Sequence, residues 1–174
     1  MKKVILTFAA VLCGASLFTS CKKDSSGSDT PSTSTPAYVV MTVSIPCTAN
    51  MLDYTNMSIS YEAGNEKSTE TATGSSWSKE FKVKLPGTIS VSRAVTLRTD
   101  RTIPAEDAFP YTKGYSVSWK FQDENGKDVK TGGVASIGTT TSAKGATVKE
   151  MIEQGRLNIS INYPFDKDGK LLQQ

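Results

Sequence analysis

The sequence predicts an all-β chain, an antiparallel β-sandwich of seven or eight strands with one short helix. Three observations carry this. Apolar residues alternate with polar ones along most of residues 37–174, the period of a half-buried strand. Turn signals built from Pro, Gly, Asn and Asp recur every ten or so residues. Only one segment carries helical spacing, and apolar residues are 37% of the chain, which suits a small two-layer core.

The elements follow in order. Val39, Met41, Val43 and Ile45 share a face of the first strand, and Pro46 ends it. Met57, Ile59 and Tyr61 share a face of the second, with Ser58, Ser60 and Glu62 outward. Ala63-Gly64-Asn65 is a turn, and Lys67 to Thr73 a polar edge strand. Phe81, Val83 and Leu85 point one way and Lys82 and Lys84 the other, until Pro86-Gly87 turns the chain. Ile89, Val91, Val95 and Leu97 continue the alternation. Arg93 falls on their apolar parity. A bulge or strand end is expected there, because burying an unpaired charge costs several kcal/mol. Tyr115, Val117, Trp119 and Phe121 form the clearest inward stripe, and their parity assigns Trp119 to the core. Asn125-Gly126 signals a hairpin with a return strand from Val129 to Ile137, and Gly132-Gly133 reads as a turn. Leu157, Ile159, Ile161 and Tyr163 make the last strand, stopped by Pro164. Asp166 to Gly169 is a hairpin turn and lacks the later ligands of a calcium loop; Leu171 and Leu172 return to the sheet. The helix is set by the capping-box spacing of Thr147 and Glu150, the Val148, Met151, Ile152 stripe, and Gly155 as its stop. This pattern fits an immunoglobulin-like sandwich without a Cys…Trp…Cys framework.

Before the domain, Lys2 and Lys3 open an apolar run, Val4 to Phe18, too short to span a bilayer comfortably. It ends in Phe18-Thr19-Ser20-Cys21-Lys22-Lys23-Asp24. This run resembles the lipobox of bacterial lipoproteins of the Bacteroidetes group, with Phe18 where the general pattern prefers Leu. The alternative is an ordinary signal peptide cut elsewhere. The resemblance implies a signal peptide over residues 1–20, removed before Cys21, and acyl chains (palmitate among them) on Cys21. At about 0.8 kcal/mol per buried CH₂, two or three chains hold a protein on a membrane almost permanently. It further implies anchoring in the outer membrane and display on the cell surface, since the Asp that favours inner-membrane retention is not at position 22. Residues 21–36 then form the lipidated Cys and a Ser/Thr/Pro tether without a large apolar residue. Its composition predicts a flexible coil, about 20 Å between ends or about 45 Å when drawn out. Over residues 38–100 the Tyr-ended strand, the Thr-rich hairpin and Trp77-Ser78-Lys79-Glu80-Phe81-Lys82-Val83 resemble small sandwich lipoproteins of the same group.

Composition excludes much chemistry. The chain has no histidine, which removes Ser-His-Asp and Cys-His catalysis and HExxH zinc sites. Removing Lys2 and Lys3 from 20 basic residues leaves 18 against 17 acidic, net +1, with no patch for nucleic acid. Cys13 leaves with the signal and Cys21 becomes a thioether. Cys47 is then the one thiol, expected to be an inert buried residue. The acidic pairs Glu106-Asp107 and Asp123-Glu124 are sequence neighbours, which point to opposite faces of a strand. No enzyme, cofactor or metal site is expected.

Contact is what remains. Asp100 to Gly114 is a long unpatterned stretch carrying Phe109 and Tyr111, with Tyr115 just beyond. With Trp77 these aromatics are the candidate ligand-binding residues, for a glycan ring or a protein pocket. Two alternatives stand beside this: that the rings fold back to plug the open end of the sandwich, and that Trp77 is core. The expected function is a non-catalytic surface module binding a glycan or protein through loops. The competing expectation is an assembly subunit pairing through an exposed edge strand, such as Lys67–Thr73.

Overall fold

A computed structural model describes residues 34–172. The signal, Cys21 and the tether up to residue 33 lie outside the described residues. The ladder begins at once: the Ala37 N–H donates to the Gln122 carbonyl and the Leu85 N–H to the Ala37 carbonyl, each at 2.8 Å.

The domain is an all-β antiparallel sandwich, but with ten strands and two helices among the described residues. In chain order these are β1 (Tyr38–Pro46), α1 (Ala49–Tyr54), β2 (Thr55–Ala63), β3 (Glu66–Thr71), β4 (Ser76–Lys84), β5 (Gly87–Leu97), β6 (Ala108–Thr112), β7 (Tyr115–Gln122), β8 (Asp128–Ile137), β9 (Thr140–Lys144), α2 (Gly145–Glu153) and β10 (Ile159–Phe165). One sheet runs β4-β1-β7-β8, the second β10-β5-β2-β3, and β6 pairs with β9. Val39, Met41, Val43 and Ile45 are fully buried as their alternation requires. Across the sheets Tyr61 packs against Phe81 at 5.3 Å, and Trp119 against Tyr163 at 5.6 Å between ring centroids. Trp119 is therefore a core-packing residue, half-buried. None of the described helices is long and apolar enough to cross a membrane.

Two strands arise in the stretch read as unpatterned and beyond it. Thr112 faces Thr140, and three residues on Tyr115 faces Ile137, so the β6–β7 arm and the β8–β9 arm form one bent hairpin of continuous register. The bend is at Gly114 and Gly138. A Cβ on Gly138 would lie 2.6 Å from the Gly114 Cα, so the two backbones approach closer than any side chain permits. The distal half swings across one end of the sandwich. Gly132-Gly133, expected as a turn, instead lies inside β8. Register shifts between Ser118 and Lys120, and the two glycines sit opposite Trp119. A Cβ on either would come within 2.6 Å of Trp119 atoms, so the bulge makes room for the indole.

Both helices close the same end. Helix α1 has only six residues, too few to show a helical period in the sequence. Its signal was Thr48, whose Oγ1 accepts from the Met51 N–H at 3.2 Å and donates to the Pro110 carbonyl at 2.9 Å. Helix α2 begins before its expected box, and Thr147 lies inside it. Its first N–H groups are taken by backbone: Gly145 donates to the Asp107 carbonyl and Ala146 to the Ala105 carbonyl, both at 3.0 Å. The stop is as expected: Gly155 donates to the Ile152 carbonyl at 2.9 Å and Arg156 to the Met151 carbonyl at 2.8 Å. Strand β10 runs through Pro164 to Phe165, which an edge strand tolerates.

Arg93 overturns its expectation. Strand β5 runs unbroken through it, with Arg93 opposite Ile59 on one side and Ile159 on the other. Its side chain points inward at 1% exposure. Nη2 donates to the Thr112 carbonyl at 3.0 Å and the Leu157 carbonyl at 2.6 Å, while Nε and Nη1 have no partner among the described residues. Burial pulls the guanidinium below its ordinary value and pushes the neighbouring Cys47 thiol up. Cys47 is buried and free, and its Sγ lies 3.6 Å from the Ile45 carbonyl.

Candidate functional site

The aromatics singled out from sequence fall in two places. Phe109 is 2% exposed, and its ring meets Tyr54 edge-on at 5.7 Å. Tyr111 and Tyr115 are half-buried and pack on the core. These three share the bent hairpin and plug the sandwich end. Trp77 lies elsewhere, buried opposite Ile45. As candidate ligand-binding rings Phe109 and Trp77 are thus corrected: β6 and β4 turn them inward, because such large apolar surfaces stabilise more when removed from water. Cys21 lies outside the described residues.

Trp77 belongs to a polar clasp where β3 meets β4. Its Nε1 donates to Glu70 Oε2 at 2.7 Å, and the Tyr61 hydroxyl donates to Glu70 Oε1 at 2.8 Å. Lys79 Nζ bonds the Tyr61 hydroxyl and pairs with Glu66 at 2.9 Å and Glu70 at 3.3 Å. The indole N–H, then the hydroxyl and the ammonium, hold the Glu70 carboxyl below its ordinary 4.5; Lys79 does the same to Glu66. A carboxylate with a depressed folded value stabilises above its unfolded value, and the gain disappears as pH falls through the folded one. The melting temperature is therefore expected to fall progressively below about pH 4.5, and Glu70→Gln to flatten that slope in thermal melts from pH 6 to pH 3.

A broad concavity lies apart from both aromatic clusters. It is the outer face of the β10-β5-β2-β3 sheet, a groove of about 640 Å³, within the range of ligand sites. Register builds it row by row. Thr69, Ser60, Ser92 and Ser160 stand side by side across all four strands. The next row is Lys67, Glu62, Ser90 and Asn162. Neighbouring strands are about 4.8 Å apart, so the first row is a ladder of four hydroxyls at that spacing. Short side chains in the middle leave the hollow. Ser60 and Thr69 hydroxyls bond at 2.8 Å, and Ser90 donates to Asn162 Oδ1 at 2.8 Å. Glu62 and Lys67 pair at 3.2 Å on one rim, so the floor carries no net charge. The other sheet differs, with Glu80, Lys82, Lys84 and Lys120 along its outer face and two smaller hollows of about 430 Å³ and 260 Å³, the first lined by Lys120, Asp128 and Lys130.

The groove suits many weak neutral hydrogen bonds in parallel. Its outward serines were visible in the alternation of β2. That β5 and β10 would lie beside β2 was not, because strand order is set by contacts distant in sequence. Fold and groove define an all-β, antiparallel sandwich with a polar sheet face whose charges, Glu62 and Lys67, balance. Comparison of the chain with protein-family models, with curated proteins and with solved structures found no match.

Proposed function

We propose that the chain is a non-catalytic lipoprotein, held to the outer membrane by acylated Cys21 and displayed at the cell surface, and that it binds a neutral glycan in the groove of the β10-β5-β2-β3 sheet. The lipobox-like run at Phe18–Cys21 supports the anchor. One observation carries the ligand class: a hydroxyl ladder with a balanced rim, in a chain where 21% of residues are charged. A polyhydroxylated ligand can give and take hydrogen bonds with Ser60, Ser92, Ser160 and Asn162 without leaving a charge unpaired. A charged ligand meets no counter-charge on the floor. Four or five neutral hydrogen bonds at about 1 kcal/mol net each correspond to a Kd on the order of 1 mM. Many copies on one membrane raise the overall affinity by multivalency. Among the described residues the two outward rows of the groove, Thr69 to Ser160 and Lys67 to Asn162, hold no aromatic ring, which keeps each site weak.

A glycan array with the chain from residue 21, carrying Cys21→Ser and displayed multivalently, is expected to retain neutral polysaccharides. Ser92→Arg, which fills the groove from an exposed position, is expected to lower retention at least tenfold while leaving the melting temperature unchanged. Equal retention by Ser92→Arg rules the groove out.

A further inference from the structure

We propose that the free edge of β8 is a self-association surface, where a second copy of this chain adds its own β8 antiparallel and extends the β4-β1-β7-β8 sheet.

A sheet edge offers a row of unpaired N–H and C=O groups, and folded chains blunt such edges with charges, prolines or covering segments. Three of the four sandwich edges are blunted here. Strand β4 carries Lys79, Glu80, Lys82 and Lys84. Strand β3 carries Glu66, Lys67 and Glu70 in six residues. Strand β10 contains Pro164, and its end is covered where the Leu172 N–H donates to the Pro164 carbonyl at 2.9 Å and Leu171 bridges Phe165.

Strand β8 is different. It pairs with β7 alone. Its charges, Asp128 and Lys130, lie at its start, and from Thr131 to Ala143 no residue is charged. The bulge at Gly132-Gly133 comes before Val134, after which pairing with β7 is regular to Ile137. On that regular part Val134 is 79% and Ile137 54% exposed, the two most exposed large apolar side chains among the described residues. An apolar, β-branched, uncharged edge is what an added strand needs.

The occupant follows from charge. In a two-fold pairing centred near Val134, residues 131–137 of each copy face each other and none of them is charged, so no like charges oppose across the seam. A charged partner segment would find no counter-charge along 131–143, whereas a second copy brings the same neutral, β-branched edge. The β10-β5-β2-β3 groove is on the other sheet, so pairing leaves it open.

Sedimentation equilibrium on the chain from residue 21 with Cys21→Ser tests this. A mass rising to twice that of the monomer at high micromolar concentration is expected. Val134→Lys combined with Ile137→Lys, both on exposed positions, is expected to hold the chain monomeric with an unchanged melting temperature. Ser92→Arg is expected to leave the dimer intact. A wild-type chain that stays monomeric at millimolar concentration, or a dimer that survives the paired lysines, overturns the proposal.

Discussion

Phe109→Ala is expected to lower stability by about 3–5 kcal/mol, the loss typical of a buried phenylalanine truncated in a core. For a domain of this size that is a fall in melting temperature of about 10 °C or more. The ring's place sets this cost. It is sealed between α1 and the bent β6–β9 hairpin, edge-on to Tyr54. Around it Thr48 bonds the Pro110 carbonyl, and the Thr112 N–H points to the Met51 Sδ at 3.4 Å. Removing the ring empties the space that holds these elements together. Tyr111→Ala, at a half-buried position, is expected to cost much less. Paired thermal melts of the two variants measure the difference. A Phe109→Ala chain that melts like wild type contradicts the plug.

The second large effect is at Arg93. Arg93→Ala leaves a cavity and orphans the Thr112 and Leu157 carbonyls. Large-to-small core changes cost about 2–5 kcal/mol, and each orphaned acceptor about 1–3. Relief of a partly unsatisfied buried cation offsets part of this. The net expectation is a loss of about 3 kcal/mol. Arg93→Met fills the same volume and brings the same relief, with only the carbonyls left unpaired, so it is expected to fall within about 1 kcal/mol of wild type. Denaturant unfolding of both variants gives the comparison. If Met costs as much as Ala, the guanidinium's hydrogen bonds outweigh its volume in tying the end cap to β5.

These two positions also show what the sequence could and could not convey. The alternations of β1, β2, β4, β5 and β7 were plain because each strand buries one face along its whole length, so period and burial coincide. Arg93 broke that parity, and the usual rule that unpaired charge stays out of a core argued for a bulge. The rule lost because a long side chain at that spot reaches two carbonyls where β6 and the α2–β10 link leave their ladders. Gly132-Gly133 resembled a turn because glycine pairs usually are; the real cause is Trp119, across the ladder and many residues away. The capping box failed for a related reason. Backbone carbonyls of residues 105–107 had already taken the first N–H groups of α2, so no side chain was needed. In the site the same division holds. Outward serines could be read strand by strand, but the four-strand row from Thr69 to Ser160 exists only once strand order is known.

On the proposed reading this module works through the hydroxyl face of one sheet and not through the aromatic residues at its end. Amide chemical-shift mapping of the chain from residue 21 (Cys21→Ser), titrated with a neutral oligosaccharide retained on the array, tests it most directly. Shifts confined to Ser60, Thr69, Ser90, Ser92, Ser160 and Asn162 and their strand neighbours are expected. Shifts gathered instead at Phe109, Tyr111 and Tyr115, with the sheet face silent, would contradict it.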